Sequence, residues 1–179
     1  MARGPLLLVI VLGTFLAGRA EAACTDAAAP GVKWRRCLLD GQDLSGVDLT
    51  KAELRDTSFK RADLGQARLD GVEAQRAKFV QANMAGASLV EANLTQADFT
   101  YADLQGATLR GASLRQARLY EAKLRGADLT GVILENADFL RADLSGALWI
   151  DGTTRCAEGS VGRCHPAPAA ASTGSKVEG

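Results

Sequence analysis

The chain has 179 residues, with 21 Lys and Arg against 21 Asp and Glu, one His, four Cys and nine aromatics. That length fits one domain, and the 47% apolar content is enough for a core. Balanced charge excludes the basic footprint of a nucleic-acid binder and a strongly acidic surface alike. Scarce aromatics and 19 glycines point to a repetitive architecture instead of an aromatic-rich core.

Residues 1–22 read as a secretory signal peptide. Arg3 supplies the positive start, residues 6–17 the apolar stretch, and Ala20-Glu21-Ala22 the small-residue site, with cleavage after Ala22. The apolar run is about 12 residues, short of the roughly 20 that span a bilayer, so no permanent membrane span is expected. Cys24 follows the cleavage region, but Glu21 stands where a lipidation signal carries an apolar residue, which argues against a lipoprotein. Cleavage removes Arg3, Arg19 and Glu21 and leaves a net charge of −1. The expected location is periplasmic or secreted, an oxidising compartment in which cysteines pair.

From Cys37 to Gly146 the sequence divides into 22 five-residue units without one insertion. A central residue recurs at Leu39, Leu44, Leu49 and onward to Leu144; it is Leu 16 times, Phe four times, and once each Met84 and Ala74. Two residues before the centre stands Ala in 16 units, and between the two stands Asp or Asn in ten. Two residues after the centre stands Gly in nine. Five residues advance an α-helix by about 500°, so the Leu residues would spiral around it instead of lining a face. Extended backbone suits them, because residues two apart point the same way. Ala and Leu then face inward, Asp or Asn outward, and the remaining two residues bend the chain.

The pattern resembles the pentapeptide-repeat family, whose signature is A-(D/N)-L-x-x. The resemblance implies an all-β fold, a right-handed quadrilateral parallel β-helix with four units per 20-residue coil. The only Phe residues beyond the leader, Phe59, Phe79, Phe99 and Phe139, are spaced in multiples of 20 and should stack in one interior column with Leu39 and Leu119. Undersized Ala74 is accompanied by Val72, which restores core volume. At about 4.8 Å per coil, about 5.5 coils make a rod roughly 26 Å long.

The sequence then divides into a signal peptide (1–22), an N-terminal cap (23–36), the β-helix (37–148), a C-terminal cap (149–164) and a disordered tail (165–179). Cys24 and Cys37 precede the first coil, and Cys156 and Cys164 follow the last. A disulfide needs Cα atoms within about 7 Å, far less than the rod's length, so the expected pairs are Cys24–Cys37 and Cys156–Cys164. With no C-x-x-C pair, metal binding by these cysteines with His165 is disfavoured. Trp34 and Trp149 are expected as apolar plugs at the two ends. The segment around Trp149 and Cys156 resembles a C-terminal cap of exported family members.

Catalysis needs convergent polar groups in a cleft, and an uninterrupted repeat offers no loop to build one. The sole His lies in the tail, and neither a phosphate-binding loop nor a dinucleotide fingerprint occurs. No enzyme, no cofactor and no metal are therefore expected. Two outer columns carry possible binding roles. Asp43, Asp63, Asn83, Asp103 and Asp143, interrupted by Lys123, form a ladder that could hold cations or bond nearby backbone. Val80, Thr100, Tyr120 and Leu140, with Tyr101 adjacent, place apolar and aromatic groups where polar ones are the rule, a candidate interface for a partner or a second copy.

The expected function is that of a non-catalytic exported protein presenting a rigid β surface to a protein or cell-envelope partner. The resemblance also offers an alternative, a DNA mimic that binds DNA gyrase as quinolone-resistance proteins do. Export, neutral charge and Arg55, Arg110, Arg115, Arg118 and Arg125 speak against it. A cation-binding β-helix is the other alternative.

Overall fold

The structure, a computed structural model, describes residues 24–168, so the expected signal peptide with its cleavage site lies outside the described residues. The backbone is a stack of single-residue parallel β-bridges that join residue i to i+20, from Lys33–Glu53 to Asp128–Leu148. Bridges recur every five residues, which gives four to a turn and four sides. We number the sides by their central columns: side 1 starts at Leu39, side 2 at Leu44, side 3 at Leu49 and side 4 at Leu54. The ladder is already in register at Lys33, within the segment assigned to the N-terminal cap.

Each unit distributes its backbone groups in the same way. Around Phe79, Ala77 N–H donates to Ala74 O at 3.1 Å and closes the preceding turn. Lys78 N–H donates to Thr57 O in the coil before, and Phe79 and Gln81 N–H donate to Asp98 O and Thr100 O in the coil after. One amide per unit, here that of Val80, takes no part in the ladder.

The residue two after the centre is left-handed in every unit, with φ of 64° at Gly106, 60° at Gln96 and 61° at Tyr101. A positive φ at the third residue of a hydrogen-bonded turn is the mark of a type II turn, which favours Gly. Thirteen of the 22 units place another residue there. An L side chain costs about 1–2 kcal/mol in that conformation. The ladder on both flanks enforces it all the same.

The interior is continuous, with the central residues of the middle coils fully buried. Phe59, Phe79 and Phe99 stack as their spacing predicts, with centroids 5.2 and 4.9 Å apart and rings within 10° of parallel. Val72 and Ala74 are both sealed from solvent. Thr57, a polar residue in an Ala position, is equally buried and donates its hydroxyl to Trp34 O.

Each end is only partly covered. At the start, residues 31–36 pair with the end of side 3 through Gly31 N–Thr50 O and with side 4 through Trp34 N–Glu53 O and Arg36 N–Arg55 O. Trp34 is buried beneath the core, and its indole N–H reaches Asp26 O at 3.2 Å. Cys24 is bonded to Cys37, with Cα atoms 5.5 Å apart. At the far end, antiparallel bridges Leu148–Arg155 and Asp143–Val161 lay the cap over sides 3 and 2, and Cys156 is bonded to Cys164. Trp149 packs against the end of the core. It continues the side 3 column, half-buried, with its ring edge-on to Phe139 at 6.3 Å.

The expectation of a disordered tail from His165 needs correcting for its first four residues. Ala157 N–H donates to His165 O, Pro166 bridges Cys156, and Ala167 N–H donates to Arg155 O, adding an outer layer to the cap. The unpaired outer edge of residues 155–157 offers the partner that composition did not reveal. Among the described residues no helix is long and apolar enough to cross a membrane.

Gly106 isolates the turn's conformational term, because a Cβ built on it meets nothing within 4 Å. Gly106→Ala should cost about 1 kcal/mol in urea unfolding. Gln96→Gly should gain a smaller amount, offset by unfolded-state entropy. Wild-type stability in Gly106→Ala would remove the claim that the ladder holds these residues under strain.

Candidate interaction surface

The outer columns follow from the amide that the ladder leaves out. All ten Asp and Asn residues that precede a central residue accept that N–H through a side-chain oxygen, among them Asp63 from Gly65 at 2.9 Å and Asp98 from Thr100 at 3.0 Å. Where Ser or Thr follows the centre, its hydroxyl donates to the same oxygen, as Thr50 does to Asp48 and Ser45 to Asp43. Asp43 and Asp48 are held below the usual carboxylate range, chiefly by those hydroxyls.

The Asp43, Asp63, Asn83, Asp103 and Asp143 ladder lies along side 2 and is engaged in this way throughout. Asn83 Nδ2 also donates to Asp63 at 2.9 Å, Lys123 Nζ lies 3.7 Å from Asp103, and Arg125 lies 3.6 Å from Asp143. Among the described residues no group of three or more His, Cys, Asp or Glu is placed to hold a metal ion.

Side 1 carries the other column. Val80, Thr100 and Tyr120 are half-buried and Leu140 is 59% exposed, each one coil from the next. Tyr101, 46% exposed at a left-handed turn position, meets Tyr120 edge-to-face at 5.7 Å. The Glu121 carboxylate raises the Tyr120 hydroxyl above its ordinary value, so the phenol stays neutral. Thr100 commits its hydroxyl to Asp98. The structure thus sets Thr100, Tyr101, Tyr120 and Leu140 together, with Val80 one coil before Thr100. Leu38, Ile133 and Val161 are also exposed and were not singled out from the sequence. Leu38 and Ile133 hold the outward position before a central residue, so the pentad frame already contained that signal.

Among the described residues, open recesses lie elsewhere on the surface. One of about 510 Å³ is lined by Arg35, Lys51, Glu53, Arg55, Gly71 and Glu73, another of about 390 Å³ by Val90, Glu91, Arg110, Gly111 and Thr130. Both lie where Gly71 or Gly111 supplies no side chain in the column of Lys51 and Glu91.

The sequence matches the family model of pentapeptide repeats over residues 22–61, 35–71, 77–116 and 112–148. The chain belongs to the pentapeptide-repeat family. Its members imply the right-handed four-sided β-helix whose 20-residue ladder is described above. Among solved structures the chain is similar to HetL, a pentapeptide-repeat protein involved in heterocyst differentiation regulation in Nostoc sp. strain PCC 7120. That match has 20% identity, covers 69% of this chain and 92% of HetL, and has a TM-score of 0.33. It is similar to QnrB1, a plasmid-mediated fluoroquinolone resistance protein, at 22% identity over 67% of this chain and 73% of that one, with a TM-score of 0.46. A pentapeptide-repeat protein of the Arabidopsis thaliana thylakoid lumen is 27% identical over 64% of this chain and 69% of its own, with a TM-score of 0.28. No curated protein matches the chain.

Asp151, in the C-terminal cap, has the most strongly perturbed carboxyl. Hydrogen bonds from the Thr154 hydroxyl and the Thr154 and Thr153 amides hold it at about 2, down from 3.8. A depressed folded value stabilises the cap above the unfolded value, and that contribution is lost as pH falls through the folded one. Amide exchange at Thr153 and Thr154 should therefore accelerate between about pH 4 and pH 2. Asp151→Asn should flatten that dependence; an equally steep profile in the variant would assign the loss to other groups.

Proposed function

We propose that this pentapeptide-repeat protein is a non-catalytic, exported binding protein. Its side 1 ridge of Val80, Thr100, Tyr101, Tyr120 and Leu140 meets a protein or cell-envelope partner, a second copy among the candidates. The observation that carries this reading is the paired Tyr101 and Tyr120 rings beside exposed Leu140, on a rod about 5.5 coils long. Aromatic anchors of this kind bring large contact area at low entropic cost. A straight stack adds rigidity, so little ordering is needed on association. Export rests on the leader and on the two cysteine pairs, which suit an oxidising compartment.

The DNA-mimic alternative has less support. Phosphate imitation needs a surface of one sign, whereas several columns here pair basic with acidic side chains. Arg76 pairs with Asp56 at 2.7 Å, Arg68 with Asp48 at 3.3 Å, Arg115 with Glu135 at 3.0 Å and Arg141 with Glu121 at 3.2 Å, each across one coil.

Export is tested by intact mass after expression in a Gram-negative host. The expected chain begins at Ala23 and gains four alkyl groups only after reduction; a chain that keeps Met1 with four free thiols would sink the exported reading. The ridge is tested by a photo-crosslinking residue at Val80, Tyr120 or Leu140 against one at Gln105 on side 2. A discrete adduct from the ridge alone, weakened by Leu140→Ala at unchanged thermal stability, is the expected result. Adducts of equal yield from both sides, or none, would eliminate the ridge.

A further inference from the structure

The outward residues of side 1 stand in columns, one residue to a coil. Its central column reads Lys78, Asp98, Arg118 and Asp138, joined by successive bridges, so its signs alternate. Lys78, Arg118 and Asp138 are exposed and Asp98 is half-buried. Asp98 gives one carboxylate oxygen to Thr100, and its other lies 3.6 Å from Arg118. Lys78 and Asp138 have no ion-pair partner among the described residues. The ridge of Val80, Thr100, Tyr120 and Leu140 runs beside this column, at the same four levels.

A two-fold axis that lies across side 1, perpendicular to the rod, sets a second copy antiparallel to the first. Each column then faces itself in reverse order. With the axis between the coils of Asp98 and Arg118, Lys78 stands opposite the second copy's Asp138, and Asp98 opposite the second copy's Arg118. The two charges that lack a partner within the chain are the two brought together. The same operation sets Val80 against Leu140 and Thr100 against Tyr120, and turns the Tyr101 hydroxyl toward the second copy's Glu121 carboxylate. At the opposite corner Gln96 meets Gln116 and Arg76 meets Asn136, so no like charges face one another.

Other registers fail on one count or the other. One coil away, Asp98 meets Asp98 or Arg118 meets Arg118, and like charges in contact exclude a partner. Two coils away, Lys60 meets Tyr120, or only the coils of Arg118 and Asp138 overlap. A parallel pair of rods sets every charge of the central column on itself.

We propose that side 1 is the interface of an antiparallel homodimer, with Lys78 paired to Asp138 and Asp98 to Arg118 across the two-fold axis. This assigns the occupant of the ridge and rests on the ridge being a contact surface. At about 4.8 Å per coil the shared face is roughly 19 Å long. An interface of that size gives a dissociation constant on the order of micromolar.

The test is sedimentation equilibrium on the full oxidised chain, with thermal unfolding to show that each variant is folded. Lys78 and Asp138 are three coils apart, roughly 14 Å, so they do not touch within one chain. Wild type should show a monomer–dimer equilibrium. Lys78→Glu and Asp138→Lys should each weaken it at least about tenfold. Both changes in one chain should return it to within about threefold of wild type, and so should an equimolar mixture of the two single variants. A dimer that Tyr120→Ala weakens but the charge exchange does not rescue would overturn this pairing and leave the ridge standing. A chain that stays monomeric to about 1 mM would overturn the dimer and leave the ridge to another partner. A dimer indifferent to Tyr120→Ala and to both charge changes would overturn the pairing and the ridge together.

Discussion

The whole molecule depends on a backbone ladder that repeats every 20 residues and, with one turn bond per unit, uses four of the five amides. That allotment fixes what each position needs. Two inward positions accept only side chains that fill the space between facing columns, hence Ala beside Leu or Phe. The position between them looks outward and stands two residues before the amide that the ladder leaves out. A short side chain with an acceptor satisfies that amide without leaving the unit, which is why Asp and Asn recur there. The last position must turn left-handed, and Gly relieves the strain without being obligatory.

Stacking at one spacing also puts every outer side chain directly above a counterpart. Like charges in a column repel at close range, as Asp43 above Asp63 and Glu53 above Glu73 do, whereas several other columns pair opposite signs across one coil. Such exposed pairs contribute roughly 0–1 kcal/mol each, so their larger effect is on the field. Side 1 stands out by the aromatic and apolar groups of Tyr101, Tyr120 and Leu140, set beside the Arg141–Glu121 pair.

Periodicity made the middle of the molecule legible and the ends opaque. The Phe column, the inward Ala and Leu, and the outward Asp could each be placed from sequence, because a residue's neighbours are found by adding 20. The role of the Asp ladder stayed open between cations and backbone, since sequence does not reveal that one amide per unit lacks a partner. Trp149 illustrates the limit at the end of the stack. Its number continues the side 3 column and its bulk suggested a plug, but the turn-back at Thr154 and the edge-on contact with Phe139 were not legible. The pairing of His165 to Ala167 was hidden for the same reason: an antiparallel return obeys no fixed spacing, and a segment rich in Pro and Ala carries no apolar pattern. On the candidate surface, position was legible but contact was not, for the Tyr101–Tyr120 edge-to-face geometry depends on a turn residue and its neighbour one coil on.

The constancy of that 20-residue separation has a kinetic meaning. No contact along the stack requires distant parts of the chain to find one another, so each finished coil is a template on which the next is laid, and growth resembles crystallisation along one axis. The costly event is the first closed turn. Trp34, packed beneath the core and joined to Thr57 through its carbonyl, stands where such a seed would form, next to the Cys24–Cys37 crosslink. A chain delivered amino end first through a narrow export channel would present that seed before the remainder emerged, and the rod could lengthen at the pace of its own delivery.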